Sequence, residues 1–508
     1  MTPISPPVRA DGRRLHDWGR PALLAVLALA GILLVLSNTR WGAYLSDDSY
    51  YYLYPARDFA AGKGFSPSYI FAPMLPLILA VISMLGIEAL VAIRWLNALL
   101  FGVNILLAAH LVWATTRKPA FAILAAALVL LADVVVEAHG WAMSEALAFT
   151  FMLLGLNACL LYLTSARQGY LWAAVLSAAL TVLTRYAALP IIATIALTLL
   201  IHAPHKSWLM RVRVAVLFGL ASLLPIAAYW LRNQLTSGHP VRYQQFLNVP
   251  FDRSQLTWFC YHWFSLFIPG RLLREREILA GGVISLIALL VVAGLAWRYR
   301  RALAATSTPA FRAGTFLCSA FLALNLLMLY LARGLTELDV FNPRYLVPML
   351  IVFLVLACCL AGQLWPLAGR WVRGSLVVFL AIFLVYYGYR TVEFSRQMAR
   401  MGLGYSNVGW HNSETVAYLH QHPELTHLVS TGEMGIYFWT GRMPQVISAF
   451  PGPNQLQTYL CQNDAILLLM DQMPADLYGM TRDQAIQGLQ LAQRFNDSEM
   501  YRCPSAPQ

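Results

Sequence analysis

Two adjacent carboxylates, Asp47 and Asp48, follow the first apolar run of the chain, and the aromatic hydroxyls of Tyr50, Tyr51, Tyr52 and Tyr54 come directly after them. A carboxylate held at a membrane surface can take the proton of an attacking hydroxyl, which makes Asp47 the candidate base. Asp48 and Tyr51 are candidates for holding substrate beside it. Glu145, in Trp141-Ala142-Met143-Ser144-Glu145, opens a later apolar run. An ionisable group so close to hydrocarbon is costly and marks a functional candidate, although an acid in a first helical turn also compensates the helix dipole. Arg185, in Leu183-Thr184-Arg185-Tyr186, and Arg344, in Asn342-Pro343-Arg344-Tyr345, sit at the ends of apolar runs. A guanidinium there suits a bound phosphate, or else snorkels to lipid headgroups. Lys63, between Gly62 and Gly64, is a further cation for the substrate.

The elements that must position these groups are membrane helices. Of 508 residues, 59% are hydrophobic and only 12% charged, with a mean hydropathy of +0.59; soluble domains carry about 25% charged residues. The apolar runs are continuous rather than alternating, which favours helices over a barrel. The chain therefore reads as a polytopic α-helical membrane protein. Residues 1–20 carry Arg9, Arg13, Arg14 and Arg20 and are expected in the cytoplasm. The first span, 21–37, is expected to stay, because no small-x-small cleavage site follows it. Residues 38–68 form the first external loop.

The next apolar run, 69–86, is short and carries Pro73 and Pro76. If it crosses, every later basic loop falls outside; if it only dips into the outer leaflet, the loops obey the positive-inside pattern. The second reading gives further spans at 88–114, 119–136, 143–164, 170–186, 188–203, 211–230, 277–297, 313–332, 344–364 and 374–390. That makes about eleven spans plus one re-entrant segment. Asp47, Asp48, Glu145, Arg185 and Arg344 then share the external face.

Net charge is +12, but the basic residues are spread through short loops rather than gathered on one face, so nucleic acid is excluded as a partner. The external stretch 256–267 is heavily aromatic and reads as an amphipathic helix on the bilayer. His110, His139 and His262 are each isolated and carry no catalytic assignment. Residues 391–508 lose hydrophobicity and read as a small extracytoplasmic α/β domain. Its expected elements are a helix over 413–420 capped by Ser413, strands over 427–430 and 465–470, an amphipathic helix over 481–495 and a last strand over 499–503. Cys461 and Cys503 fall in this domain and would pair or stay free according to the redox compartment. The other cysteines lack metal-ligand spacing.

In order along the chain, Asp47-Asp48-Ser49-Tyr50-Tyr51 with Ala60-x-Gly62-x-Gly64, Pro73-Met74-Leu75-Pro76, Arg94-Trp95-Leu96-Asn97, Ser144-Glu145-Ala146-Leu147, Leu183-Thr184-Arg185, Leu231-Arg232-Asn233 and Pro343-Arg344-Tyr345 resemble motifs of the GT-C superfamily of integral-membrane glycosyltransferases. The likeness covers roughly residues 20–360. It is nearest to the branch of protein O-mannosyltransferases and lipid A aminoarabinose transferases, although Asp48 stands where those usually have Glu.

The resemblance implies a GT-C-like transmembrane domain over 21–390. It implies inverting transfer of a sugar from a polyprenyl-phosphate donor to a glycan, lipid or protein acceptor. Asp47 would be the base, Arg185 and Arg344 the phosphate ligands, and Asp48, Glu145, Tyr51 and Lys63 the substrate contacts. It allows a divalent metal between carboxylates but requires none, and no residue is assigned as a metal ligand. It also implies a multi-pass protein of the bacterial inner membrane, in contact with membrane lipids, with site and tail facing the periplasm. A transporter or flippase of lipid-linked substrates and a non-catalytic partner with the same fold are the competing readings. Against the first stands the lack of any internal repeat.

Overall fold

Apolar runs become helices in a bilayer because only a helix satisfies every backbone group within one segment. The computed structural model describes residues 14–65, 70–241, 253–267, 297–302, 304–335, 343–471, 476–477 and 480–504. Among these, seven helices are long and apolar enough to cross a membrane: Gly19–Asn38, Ala89–Thr116, Glu145–Ser165, Trp208–Ser237, Pro309–Ala332, Pro343–Leu367 and Arg370–Met401. Gln168–Thr184 and Tyr186–His202 are apolar but shorter. The segment expected to re-enter contains only the ten-residue helix Met74–Ser83. At about 1.5 Å per residue, that is half a bilayer. Of the span expected over 277–297, residues 277–296 lie outside the described residues.

One expected span differs. Residues 119–136 do not form a straight helix. Pro119–Leu130 stops, and Asp133–Gly140 continues after a bend of 59°. A break leaves helix-end groups without partners, and the long helix Arg370–Met401 supplies several. The Thr391 hydroxyl donates to the Leu131 carbonyl at 2.6 Å, and Arg390 pairs with Asp133 at 2.7 Å. Arg390 and Tyr387 also donate to carbonyls at the end of the aromatic helix Arg253–Ser265, at Ser265 and Leu266. The bend is thus held by a second helix, which then runs into the tail.

The tail holds a five-stranded sheet in the order β2-β1-β3-β7-β6. Its strands are β1 (Leu428–Ser430), β2 (Gln445–Val446), β3 (Ile466–Met470), β6 (Gln490–Arg494) and β7 (Ser498–Arg502); β4 (Asp476–Leu477) and β5 (Met480–Thr481) make a separate hairpin. β1 pairs with β2 and β3 in parallel, and β7 pairs antiparallel to β3 and β6. β3 is buried along its whole length, as its unbroken Ile-Leu-Leu-Leu-Met run demands. Ser413 caps Glu414–Gln421 through the Val416 N–H, as expected. The helix expected over 481–495 is a correction. Only Arg482–Ile486 is helical, and 490–494 is an edge strand. Gly488, at φ +73°, makes the turn between them, a conformation that glycine adopts freely. Cys461 and Cys503 form a disulfide, with Cα atoms 5.2 Å apart.

Candidate active site

The site is gathered by backbone pairing. Tyr44 N donates to Gly140 O and Ala142 N to Tyr44 O, each at 2.8 Å, and Tyr405 N donates to Leu45 O at 2.9 Å. Residues 44–45 are therefore clamped between the segment leading to Glu145 and the segment that opens the tail. Gly404 permits the closest approach. It has φ +62°, and a Cβ there would lie 1.9 Å from the Leu45 carbonyl oxygen.

From this clamp starts the helix Asp47–Ala60, with both acids in its first turn, where the helix dipole favours them. The Ser49 hydroxyl accepts from Ser46 N at 3.0 Å and fixes that start. The helix begins well before Pro55, so the proline sits inside it and not in its first turn. Tyr52 and Ser144 share a hydrogen bond of 3.1 Å, tying this helix to the start of Glu145–Ser165.

Four of the expected residues meet. Glu145 is 1% exposed; its Oε1 lies 2.8 Å from Arg185 Nη1 and 3.1 Å from Arg344 Nε. Arg344 Nη2 donates to Asp48 Oδ2 at 3.1 Å, and its Nη1 contacts the Met143 sulfur. Glu145 Oε2 is buried and makes no hydrogen bond among the described residues. A buried carboxylate oxygen left without a donor is expensive. Two carboxylates and two guanidiniums balance in charge, and each guanidinium has more N–H donors than these contacts use.

Glu145, Arg185 and Arg344 form the polar head of a narrow cleft whose walls are apolar: Phe149, Met152, Ile191, Phe321, Leu329 and Pro348. Asn325, 5% exposed, is the amide on that wall. It went unselected in the sequence, though an Asn within an apolar run was the signal. Asp47 points elsewhere. It is exposed, accepts a hydrogen bond from the Tyr405 hydroxyl at 2.6 Å, and borders a second cavity. Tyr51 stacks on Phe71, with centroids 5.0 Å apart, and Lys63 pairs with Asp58 at 3.4 Å. Among the described residues neither of them lines the cleft. His139 is fully buried, between Asn104 and the Val135 carbonyl, and His110 bonds Asn157. Among the described residues no group of three or more His, Cys, Asp or Glu side chains converges as metal ligands would.

No protein-family model and no curated protein sequence matches the chain. Solved structures do match. ArnT from Cupriavidus metallidurans superposes with a TM-score of 0.55 at 14% identity, over 96% of this chain and 98% of that one. The archaeal oligosaccharyltransferase AglB from Archaeoglobus fulgidus, in complex with an inhibitory peptide and a dolichol-phosphate, gives 0.53 at 14% identity, over 90% and 70%. The mycobacterial arabinofuranosyltransferase AftD gives 0.53 at 15%, over 95% of this chain and 41% of that one.

The chain has a GT-C fold. At these identities the likeness is one of architecture, and residue roles must come from the site itself. Within the GT-C fold of this chain, the acidic first loop, the acid that opens a later span and the arginine that enters another are the parts brought to one point.

Proposed function

We propose that the chain is a membrane glycosyltransferase that takes a sugar from a polyprenyl-phosphate donor and places it on an acceptor hydroxyl with inversion. The observation that carries this reading is the cleft: a charged head of Glu145, Arg185 and Arg344 on apolar walls matches a phosphate joined to a hydrocarbon chain. The neighbouring folds support it. AglB was solved with a dolichol-phosphate and ArnT with undecaprenyl phosphate.

In this reading Asp47 takes the acceptor proton, and the acceptor oxygen attacks the anomeric carbon from the face opposite the phosphate. The bond from that carbon to the phosphate oxygen breaks, and its electron pair leaves with the polyprenyl phosphate. That leaving group needs charge stabilisation rather than a proton, and Arg185 and Arg344 supply it; one such donor is worth about 3–4 kcal/mol. Glu145 Oε2 accepts from a donor-sugar hydroxyl, and Asp48 holds Arg344 in place. Tyr51 and Lys63 serve substrate binding from the rim.

The Cys461–Cys503 disulfide supports an oxidising compartment for the tail. With the basic loops on the other side, that favours a bacterial inner membrane with the site facing the periplasm. Mass-spectrometric comparison of envelope glycolipids and glycoproteins with and without the chain identifies the product. Asp47→Asn and Arg185→Ala should then each remove that product from membranes supplied with lipid-linked sugar. Normal transfer by both variants ends the proposal.

A further inference from the structure

Asp47 and Asp48 are neighbours, yet they serve different cavities. Asp48 belongs to the ionic head of the cleft through Arg344. Asp47 borders a separate cavity of about 300 Å³, where the first external loop meets the tail. Trp141, Tyr405, Trp410, Asn407 and Met470 line it with Asp47. That volume is at the lower end of the roughly 300–1,000 Å³ of small-ligand pockets.

We propose that this cavity is the acceptor site and that it takes a neutral saccharide ring; this rests on the glycosyltransferase reading above. Three observations select the class of ligand. The first is the Tyr405 phenol, which donates to Asp47 Oδ1 at 2.6 Å. A hydroxyl already sits on the candidate base, in the position the acceptor hydroxyl must take. Tyr405 is a place-holder that the acceptor displaces.

The second is the lining chemistry. Two part-exposed aromatic side chains, Trp141 and Tyr405, and the largely buried Trp410, with one amide and one carboxylate, offer apolar surface and a few polar groups to fix orientation, which suits a sugar ring. Among the described residues, no Lys, Arg or His lines it. An anionic headgroup would meet Asp47 with no compensating charge.

The third is the backbone. An extended peptide would need unpaired strand edges. Here Tyr44 N, Tyr44 O and Leu45 O are already engaged with residues 140, 142 and 405.

The full chain in lipid nanodiscs tests this by saturation-transfer NMR. The probes are neutral methyl glycosides of several hexoses and pentoses, a capped Ser/Thr tripeptide and glycerophosphoglycerol. At least one glycoside is expected to bind, and the tripeptide and glycerophosphoglycerol are not. Tyr405→Phe removes the competing hydroxyl and should tighten that glycoside about fivefold, a direction that mere structural damage would not produce. Met470→Trp should fill the cavity and abolish binding. If that variant loses thermal stability, the Tyr405→Phe result decides alone. Binding of the tripeptide or glycerophosphoglycerol without any glycoside overturns the proposal. So does glycoside binding that Tyr405→Phe leaves unchanged or weakens, and so does the absence of glycoside binding. Undecaprenyl phosphate binding, measured on the same preparations and lost in Arg185→Ala, tests the donor reading separately.

Discussion

Glu145 lies between Arg185 and Arg344, and Glu499 lies between Arg482 and Arg494. The residue types are the same and both acids are buried, but their partners differ. In the tail both oxygens of Glu499 are taken: Oε1 accepts from Arg494, and Oε2 accepts from Arg482 and from the Tyr501 hydroxyl. Both arginines stay largely in water, with 45% and 71% of their side chains exposed. In the membrane domain Glu145 is buried, its Oε2 accepts no hydrogen bond among the described residues, and its arginines face a cleft. A carboxylate between two guanidiniums is a fastener where its hydrogen bonds are complete; in the proposed function the one left incomplete is a binding head. Motif and charge are alike; the unsatisfied oxygen separates them.

The largest test of this difference is stability. Glu145→Ala leaves two partly buried guanidiniums facing one another, and breaking a buried ion pair costs about 3–5 kcal/mol. Glu499→Ala leaves guanidiniums that water can take up, and should cost about 1 kcal/mol or less. Thermal melts of the full chain in nanodiscs measure both, and equal losses would break the comparison. Next comes activity. Arg185→Ala should lower transfer about 10²- to 10³-fold, the effect of removing one preorganised donor, while Arg494→Ala should leave it unaltered. A third variant sharpens the static side. Cys503→Ser frees the strand that carries Glu499 from the helix Pro453–Gln462. It should cost the tail about 2–4 kcal/mol, read as lost hydrogen-exchange protection over 498–502, with undecaprenyl phosphate binding retained.

The membrane half of this architecture is legible because apolar periodicity and loop charge are local signals. Most of the described long helices and the short helix around 74–83 follow from apolar runs; parity put Asp48, Glu145, Arg185 and Arg344 on one face, and their contacts with one another are tertiary. What is not legible is pairing across the chain. Tyr405 reaches Asp47 over more than 350 positions through a backbone bridge at Leu45 and Gly404, and no spacing encodes that. The stretch 481–495 has helical periodicity, but Gly488 turns the chain and β7 recruits 490–494 as an edge strand. Tertiary pairing there outweighs a helix preference of a few tenths of a kcal/mol per residue. Gly488 was the visible warning. Nor does any spacing encode the pairing of Lys63 with Asp58 at an exposed rim.

The smallest effect concerns pH. The Tyr501 hydroxyl, followed by the arginines, holds the Glu499 carboxyl below its ordinary value of 4.5. A carboxylate whose value is depressed in the folded state contributes stability above its unfolded value, and that contribution is lost as pH falls through the folded value. The tail should therefore lose stability progressively below about pH 4.5 in the wild type, through strand 498–502. Glu499→Gln cannot titrate and should flatten that part of the profile while lowering the neutral plateau. Hydrogen exchange over this strand between pH 3 and 7 separates the two, since ~pH 4.5 falls inside that window. An unchanged acid slope in the glutamine variant would mean that Glu499 does not carry it. In that case Glu499 would not be the fastener, and the contrast with Glu145 would rest on the exposure of the arginines alone.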